Sequence, residues 1–240
     1  MVETVTSLNH SIRGSVCNSH RNSARCEAVK QAEVTTVILA GGEGRRMGGR
    51  NKALLTIGRE TIIERQLREA AKLADEIVVV ANDPAFAEKL RATEPSVRIV
   101  SDVYAGEGPL AGVHAGFQAA AFPYIWLLGC DQPYPSAAAA GYLLGRLTSG
   151  RAQAAVPVIG GNLQPLHGVY RKETGTIAEE LLQSGMRRLR DWMERMELSE
   201  IGEDELQAGG HSLALAEDID TPEQLAKENA RWAEHTQQRS

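Results

Sequence analysis

Apolar residues follow two different periods along the chain, and these periods alternate from Val34 onward. The run Val34–Leu39 is rich in β-branched residues and ends at a glycine-rich loop, which is typical of a buried strand. In Glu60–Leu73 the apolar positions fall on one helical face. The same criteria predict strands at Glu76–Ala81, Val97–Ser101 and Tyr124–Gly129, and helices at Pro84–Ala92 and Pro109–Ala121. This alternation predicts parallel βαβ units with helices on both faces of the sheet.

The second half of the chain has a less regular pattern. Residues 152–158 and 163–170 flank the turn Gly160-Gly161-Asn162, which predicts a hairpin or an antiparallel addition to the sheet. Two helices are predicted at Lys172–Gln183 and Met186–Met196. A last helix begins after Thr221, which can act as N-cap with Pro222 in the first helical position.

Residues 1–33 mix Ser, Asn, Arg and His without periodicity, so they cannot bury enough apolar surface to offset the entropy of ordering. We therefore expect a disordered N-terminal extension at 1–33, followed by a single domain at 34–236. Two of the three cysteines lie in that extension, which does not suggest a disulfide framework.

Composition and charge restrict the partners. Of the 240 residues, 42% are hydrophobic and 24% are charged, as in ordinary globular proteins. The net charge is −5 and the basic residues are scattered, which argues against binding to nucleic acid. No apolar run approaches the roughly 20 residues that span a bilayer, and the N-terminus has no apolar signal segment, so we expect a cytoplasmic protein without a membrane partner.

The strongest chemical signal is the segment from Leu39 to Lys52, which directly follows the first predicted strand. Its five glycines let backbone N–H groups approach a polyphosphate, while Arg45, Arg46 and Lys52 supply positive charge. Gly-Lys-Ser/Thr does not end the segment, so it is not a P-loop, and Met47 breaks the dinucleotide-binding pattern. A phosphate-binding loop is the functional interpretation, and a mobile basic loop is the alternative.

Two acidic segments could hold a cation. Asp131 emerges at the carboxyl end of the apolar strand Tyr124–Gly129, where open α/β sheets bind ligands. It is a candidate metal ligand, and the alternative is a capping role in the turn before Pro133. Asp218 and Asp220 precede the last helix, and alternation along a short strand would place both side chains on one side. Helix capping is the alternative for this pair.

Five segments together resemble molybdenum cofactor guanylyltransferases of the MobA type. In chain order they are LAGGEGRRMGG with Lys52, GPLAG (Gly108–Gly112), GCDQPY (Gly129–Tyr134), SGMRRLRDW (Ser184–Trp192) and DIDTPEQL (Asp218–Leu225). The resemblance covers about Val34 to Glu228. It implies the nucleotidyltransferase superfamily and an α/β, Rossmann-like three-layer fold, with a mostly parallel sheet and a small antiparallel addition.

The resemblance also implies roles for single residues. Asp131 matches the magnesium ligand, Lys52 the residue beside the nucleotide phosphates, and Arg46 the loop arginine. Asp218 and Asp220 stand where guanylyltransferases often have Asn, and here the chain looks more like cytidylyltransferase and sugar-nucleotide relatives, in which such an aspartate helps to hold the metal. Nucleotide contacts are implied at Leu39, Ala40, Gly41, Gly42, Lys52, Asn82, Asp102 and Asp131. Asn51 departs from the family, which usually has Asp before the lysine.

The implied activity is transfer of GMP from GTP to molybdopterin with release of pyrophosphate, using Mg²⁺. Lys52, Arg46 and Asp131 would be catalytic, with Asp131 and Asp220 on the metal. Arg187 and Arg188 could grip the phosphate of molybdopterin, or they could belong to a solvated helix face with i,i+4 ion pairs. The resemblance also implies apo-molybdoenzymes or their chaperones as partners.

Three alternatives to this activity stay open. They are a molybdopterin cytidylyltransferase, a sugar-phosphate nucleotidylyltransferase, and a non-catalytic module that delivers the cofactor, the last suggested by Asn51.

Overall fold

The computed structural model describes residues 33–41, 51–104 and 106–237. The expected N-terminal extension, apart from Glu33, lies outside the described residues, and so do Gly42 and Arg46 of the glycine-rich loop. Among the described helices, none combines the length and the apolar character needed to span a membrane.

The described chain alternates strands and helices. The strands are β1 (Val34–Leu39), β2 (Thr56–Ile57), β3 (Glu60–Thr61), β4 (Glu76–Val80), β5 (Arg98–Val100), β6 (Tyr124–Gly129), β7 (Ala154–Ile159), β8 (Asn162–Leu163), β9 (Val169–Arg171) and β10 (Leu198–Gly202). The helices are α1 (Ile62–Ala70), α2 (Pro84–Thr93), α3 (Pro109–Ala119), α4 (Ala137–Thr148), α5 (Thr174–Gln183), α6 (Leu189–Met193), α7 (Glu203–Ala208) and α8 (Pro222–Gln237). Short 3₁₀ helices cover Lys52–Leu54 and Leu213–Ala216.

The main sheet is mostly parallel and has the strand order β10-β7-β9-β6-β1-β4-β5, with β8 paired to β7. Strands β5, β4, β1 and β6 form a parallel half, and β7 and β10 form a second parallel pair. Strand β9 lies between β6 and β7 and runs antiparallel to both. The turn between β7 and β8 has positive φ at Gly160 and Gly161, which is why two glycines occupy it.

The core has two layers, one on each face of the sheet, because the side chains of a buried strand alternate. In β1, Val34 and Ile38 pack into one layer and Val37 and Leu39 into the other. Helices α1, α2 and α4 cover the first face, and α3, α5 and α6 cover the second. The predicted Rossmann-like three-layer fold, with its mostly parallel sheet and antiparallel addition, is confirmed.

Some local predictions differ from the structure. Strand β6 has the predicted bounds, whereas the helix expected from Met186 begins only at Leu189 and has five residues. The prediction of a short strand around Asp218 and Asp220 is wrong, since these residues belong to no strand of the structure. Elements β2, β3, α4, β10 and α7 were not predicted, and β3 occupies the first two positions of the helix expected at Glu60–Leu73.

The C-terminal helix packs against a small hairpin formed by β2 and β3. Asn229 of α8 accepts a hydrogen bond from the Gly58 amide (2.9 Å) and donates one to the Thr56 carbonyl (3.0 Å). Gly58 has φ +68°, and a side chain there would lie 2.3 Å from Trp232. The tight hairpin turn and the tryptophan therefore fit only because this position carries no Cβ.

Candidate active site

The carboxyl ends of β1, β4, β5 and β6 lie at one edge of the sheet, and four predicted site residues follow them. Gly41 comes after β1, Asn82 after β4, Asp102 after β5 and Asp131 after β6. Backbone hydrogen bonds continue the pairing past the strand ends, with Ala40 N–H donating to Val80 (2.8 Å). Topology alone thus gathers these residues at the edge where parallel sheets bind ligands.

Lys52 connects two of the predicted metal ligands. Its Nζ donates to Oδ2 of Asp131 at 3.2 Å and also contacts Oδ1 of Asp220. The side chains are only partly accessible, at 16% for Lys52, 27% for Asp131 and 34% for Asp220. One ammonium therefore contacts two carboxylates that come from distant parts of the chain and neutralises the charge of only one of them.

The charges in this cluster shift the ionisation of its members. Burial opposes the ammonium form of Lys52, but the hydrogen bonds and charges of Asp220 and Asp131 outweigh it and raise the pKa of Lys52 above its ordinary value. Partial desolvation, reinforced by the charges of Asp220 and Asp131, raises the pKa of Asp218. The cluster therefore has an excess of negative charge that favours a cation.

The carboxylates of Asp131 and Asp220 have the chemistry and placement to hold Mg²⁺. Their oxygens converge on one cationic group, the ammonium of Lys52. Mg²⁺ prefers hard oxygen ligands, and proteins usually bind it through one or two carboxylates together with substrate phosphates. Among the described residues, no group of three or more His, Cys, Asp or Glu side chains could hold a metal by itself. A site shared between two aspartates and a nucleotide fits both observations.

Asn82 and Asp102 form two hydrogen bonds with each other, and Asn82 lies beside Gly41. The Asn82 amide donates to Oδ2 of Asp102 (2.6 Å), and its oxygen accepts from the Asp102 backbone N–H (3.0 Å). A Cβ on Gly41 would stand 3.6 Å from the Asn82 amide, an ordinary contact. The pair fixes the direction of both side chains, and among the described residues the Asn82 amide is the one group within 4 Å of that Cβ position.

The turn that carries Asp131 is held from three sides. Gln66 of α1 donates to the Gly129 and Gln132 carbonyls at 2.6 and 2.9 Å. Gln132 accepts from the Gly129 N–H (3.0 Å) and donates to the Leu166 carbonyl (2.6 Å). The Asp131 carbonyl accepts from the Ile219 N–H (2.9 Å).

Sequence reasoning assigned Gln66 no role. The available signal was its position: a polar residue on the buried face of α1, four residues after Ile62 and one before Leu67.

The predicted acceptor arginines have different surroundings. Arg187 contacts the carboxylate of Glu107 and donates to the carbonyls of Leu182 (2.8 Å) and Met186 (3.1 Å). Its carbonyl oxygen lies near Gly108, so the segment before α6 rests against the start of α3. Arg188 is exposed. The guanidinium of Arg187 thus already has partners in the protein, and Arg188 has the more accessible side chain.

The alternative interpretation of this segment, a solvated helix face with i,i+4 ion pairs, holds for Arg190. Its guanidinium pairs with Glu194 at 2.9 Å, and both side chains are well exposed.

The sequence of this chain is similar to those of known proteins. The family model described as the MobA-like NTP transferase domain matches residues 36–200. The chain belongs to this family. It is 33% identical over 195 residues to a probable molybdenum cofactor guanylyltransferase of Pelotomaculum thermopropionicum, covering 81% of this chain and 91% of the relative. A molybdenum cofactor guanylyltransferase of Desulfosudis oleivorans is 30% identical over 82% of this chain and 95% of its own length.

Solved structures support the same fold. The molybdopterin-guanine dinucleotide biosynthesis protein A of Archaeoglobus fulgidus superposes with a TM-score of 0.71 at 23% identity, covering 83% of this chain and 99% of that chain. The 4-diphosphocytidyl-2C-methyl-D-erythritol synthase of Anaerococcus prevotii gives 0.63 at 16% identity, covering 85% and 98%. Both structures are less than 25% identical to this chain, so they show the fold alone.

The Asn51 departure has a local explanation within the MobA-like domain. Its side-chain oxygen accepts a hydrogen bond from the Ala53 N–H (3.0 Å) and so caps the short helix that begins with Lys52. Asparagine caps as well as aspartate does, so the local structure around Lys52 is kept although one negative charge is lost.

Proposed function

We propose that this protein transfers GMP from GTP to molybdopterin and releases pyrophosphate, with Mg²⁺ as the metal and the cytoplasm as the place of reaction. The observation that carries the proposal is the bridge from Lys52 to Asp131 and Asp220 at the ligand-binding edge of the sheet. The guanylyltransferase names of the relatives support it further.

The proposed reaction balances without a general base. An oxygen of the acceptor phosphate attacks the α-phosphorus of GTP, while the bond from that phosphorus to the oxygen bridging to the β-phosphate breaks. The nucleophile is already anionic, so no proton has to be removed. A bound Mg²⁺ supplies neutralisation of the charge that develops on the phosphate oxygens.

The residues of the chain then act by positioning and charge. Asp131 and Asp220 would hold the metal. When the nucleotide binds, the ammonium of Lys52 would contact phosphate oxygens instead of the two carboxylates. Arg46 would supply a second positive charge from the loop. Backbone N–H groups of the glycine-rich loop would contact the phosphates. Arg188 is the better placed of the two arginines to meet an acceptor phosphate, because Arg187 is engaged with Glu107.

Guanine is the proposed base because Gly41 leaves room for a purine. An alanine here would not disturb the protein, since its Cβ would make only an ordinary contact with Asn82. It would instead reduce the space above residue 41. Asp218 and Asp220 act at the metal and phosphate end, which all nucleotides share, and so carry little information about the base.

The test is to incubate the protein with molybdopterin and each of the four Mg-NTPs and to measure pyrophosphate release. We expect kcat/KM for GTP to exceed that for CTP by at least ~10-fold, equivalent to about 1.4 kcal/mol, and Gly41→Ala to reduce this ratio. Equal or better use of CTP would reject the guanylyltransferase while keeping the nucleotidyltransferase. Absence of turnover with every nucleotide would favour the delivery module.

The metal assignment is tested in the same assay. Asp131→Asn should lower turnover at saturating Mg²⁺ by at least ~100-fold, because charge stabilisation by a bound metal is worth several kcal/mol. Asp204→Asn on the exposed face of α7 is the matched control and should keep wild-type turnover. Equal rates in the two variants would exclude Asp131 from the site.

A further inference from the structure

Two buried glutamines fix both polar groups of Gly129, two residues before the carboxylate of Asp131. The Gly129 carbonyl accepts from Gln66 and the Gly129 N–H donates to Gln132. Gln66 is fully buried and Gln132 is 5% exposed. The hydrogen bonds of both side chains go to backbone groups of Gly129, Gln132 and Leu166, so they serve the turn itself.

The surroundings determine the orientation of the Gln66 amide. Two carbonyl oxygens, of Gly129 and Gln132, face its nitrogen. The reverse orientation would place its oxygen against both carbonyls, so only the NH₂ end fits there. A lysine or arginine could also donate two hydrogen bonds, but it would add a positive charge beneath a cation-binding centre. A glutamine provides two donors without a charge.

Gly129 in turn limits where the Asp131 carboxylate can lie. A Cβ built on Gly129 would be 2.7 Å from Oδ1 of Asp131 and 2.8 Å from Cδ1 of Leu166. The carboxylate is therefore packed directly over the backbone that the glutamines hold. A displacement of this backbone would move the carboxylate with it.

We propose that Gln66 and Gln132 are positioning residues that set the Asp131 carboxylate for metal and phosphate binding. This inference rests on the proposed function and deepens it, because it identifies what holds the metal ligand in place. Residues that orient a metal ligand typically contribute about 10- to 100-fold in metal affinity or activity. We expect the same scale for the two glutamines.

The test measures metal binding directly, without turnover. Mn²⁺ is titrated into the full-length protein with guanosine 5′-(α,β-methylene)triphosphate and no acceptor, and free Mn²⁺ is followed by electron paramagnetic resonance. Gln66→Met keeps the length of the side chain and removes both donors, and it should weaken Mn²⁺ affinity about tenfold. Gln132→Met should have an effect of the same size, and it keeps the proposal testable if the first variant does not fold.

Thr174→Val is the matched control. Thr174 is fully buried, and its hydroxyl donates to the Arg171 carbonyl at 2.8 Å, so this change also removes a buried hydrogen bond to the backbone. Arg171 pairs with Tyr124 at the opposite end of β6 from Gly129. The control should bind Mn²⁺ within about twofold of wild type, although its melting temperature should fall about as much as that of the glutamine variants.

Kinetics separate positioning from general destabilisation. In the two glutamine variants kcat should fall about tenfold while KM for GTP changes less, because only the contact of Asp131 is displaced and the other nucleotide contacts remain. The proposal would be overturned if both glutamine variants folded and bound Mn²⁺ as tightly as wild type. It would also be overturned if Thr174→Val lost as much Mn²⁺ affinity as the glutamine variants. Weakened Mn²⁺ binding in the glutamine variants of a protein that does not transfer GMP would reject the proposed function alone and support the positioning role.

Discussion

Substitution of Gly129 by alanine tests whether the position of the Asp131 carboxylate, rather than its mere presence, controls the reaction. The φ angle of Gly129 does not lie in the left-handed region, so the backbone accepts an alanine. The new Cβ would lie 2.7 Å from Oδ1 of Asp131, and an ordinary contact begins at 3.4 Å, so the carboxylate must move by about 0.7 Å.

This shift has two consequences, one for the stability of the protein and one for the rate of the reaction. The atoms that must move, Oδ1 of Asp131 and Cδ1 of Leu166, are ends of side chains, so the cost in unfolding free energy should be about 1–3 kcal/mol. Misplacement of a reacting group by about 1 Å can cost about 100-fold in rate. We therefore expect kcat in the pyrophosphate-release assay to fall by about 100-fold, which is about 2.7 kcal/mol in the barrier, with a folded protein.

Gly145→Ala in α4 is the control for the glycine-to-alanine change itself. Apart from the backbone of the helix itself, no atom of the described residues lies within 4 Å of its Cβ position, so alanine should stabilise the helix by about 0.5–1 kcal/mol and leave kcat unchanged. Urea denaturation measures the first quantity for both variants. If Gly129→Ala retains kcat within threefold of wild type, the carboxylate position is not what limits the reaction.

Two further predictions concern stability. Gly58→Ala combines φ +68° with a Cβ 2.3 Å from Trp232, so it should lower the free energy of unfolding by about 2 kcal/mol or more in urea denaturation; a loss below about 0.5 kcal/mol would contradict the packing of α8 on the hairpin. Burial lowers the pKa of His167 from 6.5 to about 4, so between these values the unfolded chain binds a proton that the folded protein does not. Stability should fall by up to about 3 kcal/mol from pH 6.5 toward pH 4. His167→Asn, which tolerates the positive φ at this position, should flatten that dependence, and an unchanged slope would exclude His167 as its source.

The sequence pattern was most informative where burial leaves little choice. Strands β1 and β6 are buried on both faces, so their apolar runs predicted the centre of the sheet. Helix α4 was missed although Ala140, Leu143 and Leu147 have helical spacing and are buried. Strand β10 gives a weak pattern because it is a short edge strand with exposed positions, and only its pairing with β7 defines it.

The candidate site was predictable to the extent that topology determines it. Residues that follow parallel strands meet at one edge, so Asp102 and Asp131 could be placed there from the sequence. The contact between Lys52 and Asp220 joins residues 168 positions apart and follows no local pattern. The role of Gln66 depends on two backbone carbonyls of a distant turn, and these come together only in the folded protein.

Strand β9 has a consequence for the order in which the molecule is assembled on the ribosome. Strands β5, β4, β1 and β6 can pair as soon as residue 129 is available, but within the described sheet β7 joins β6 only through β9, which ends at Arg171. Until that residue is synthesised, the buried surface of β7 has no place in the sheet and remains available for wrong contacts. A nascent chain that stalls between these two points therefore carries the parallel half of the sheet together with a β7 strand that lacks its β9 neighbour, and the exposed apolar surface of β7 favours aggregation.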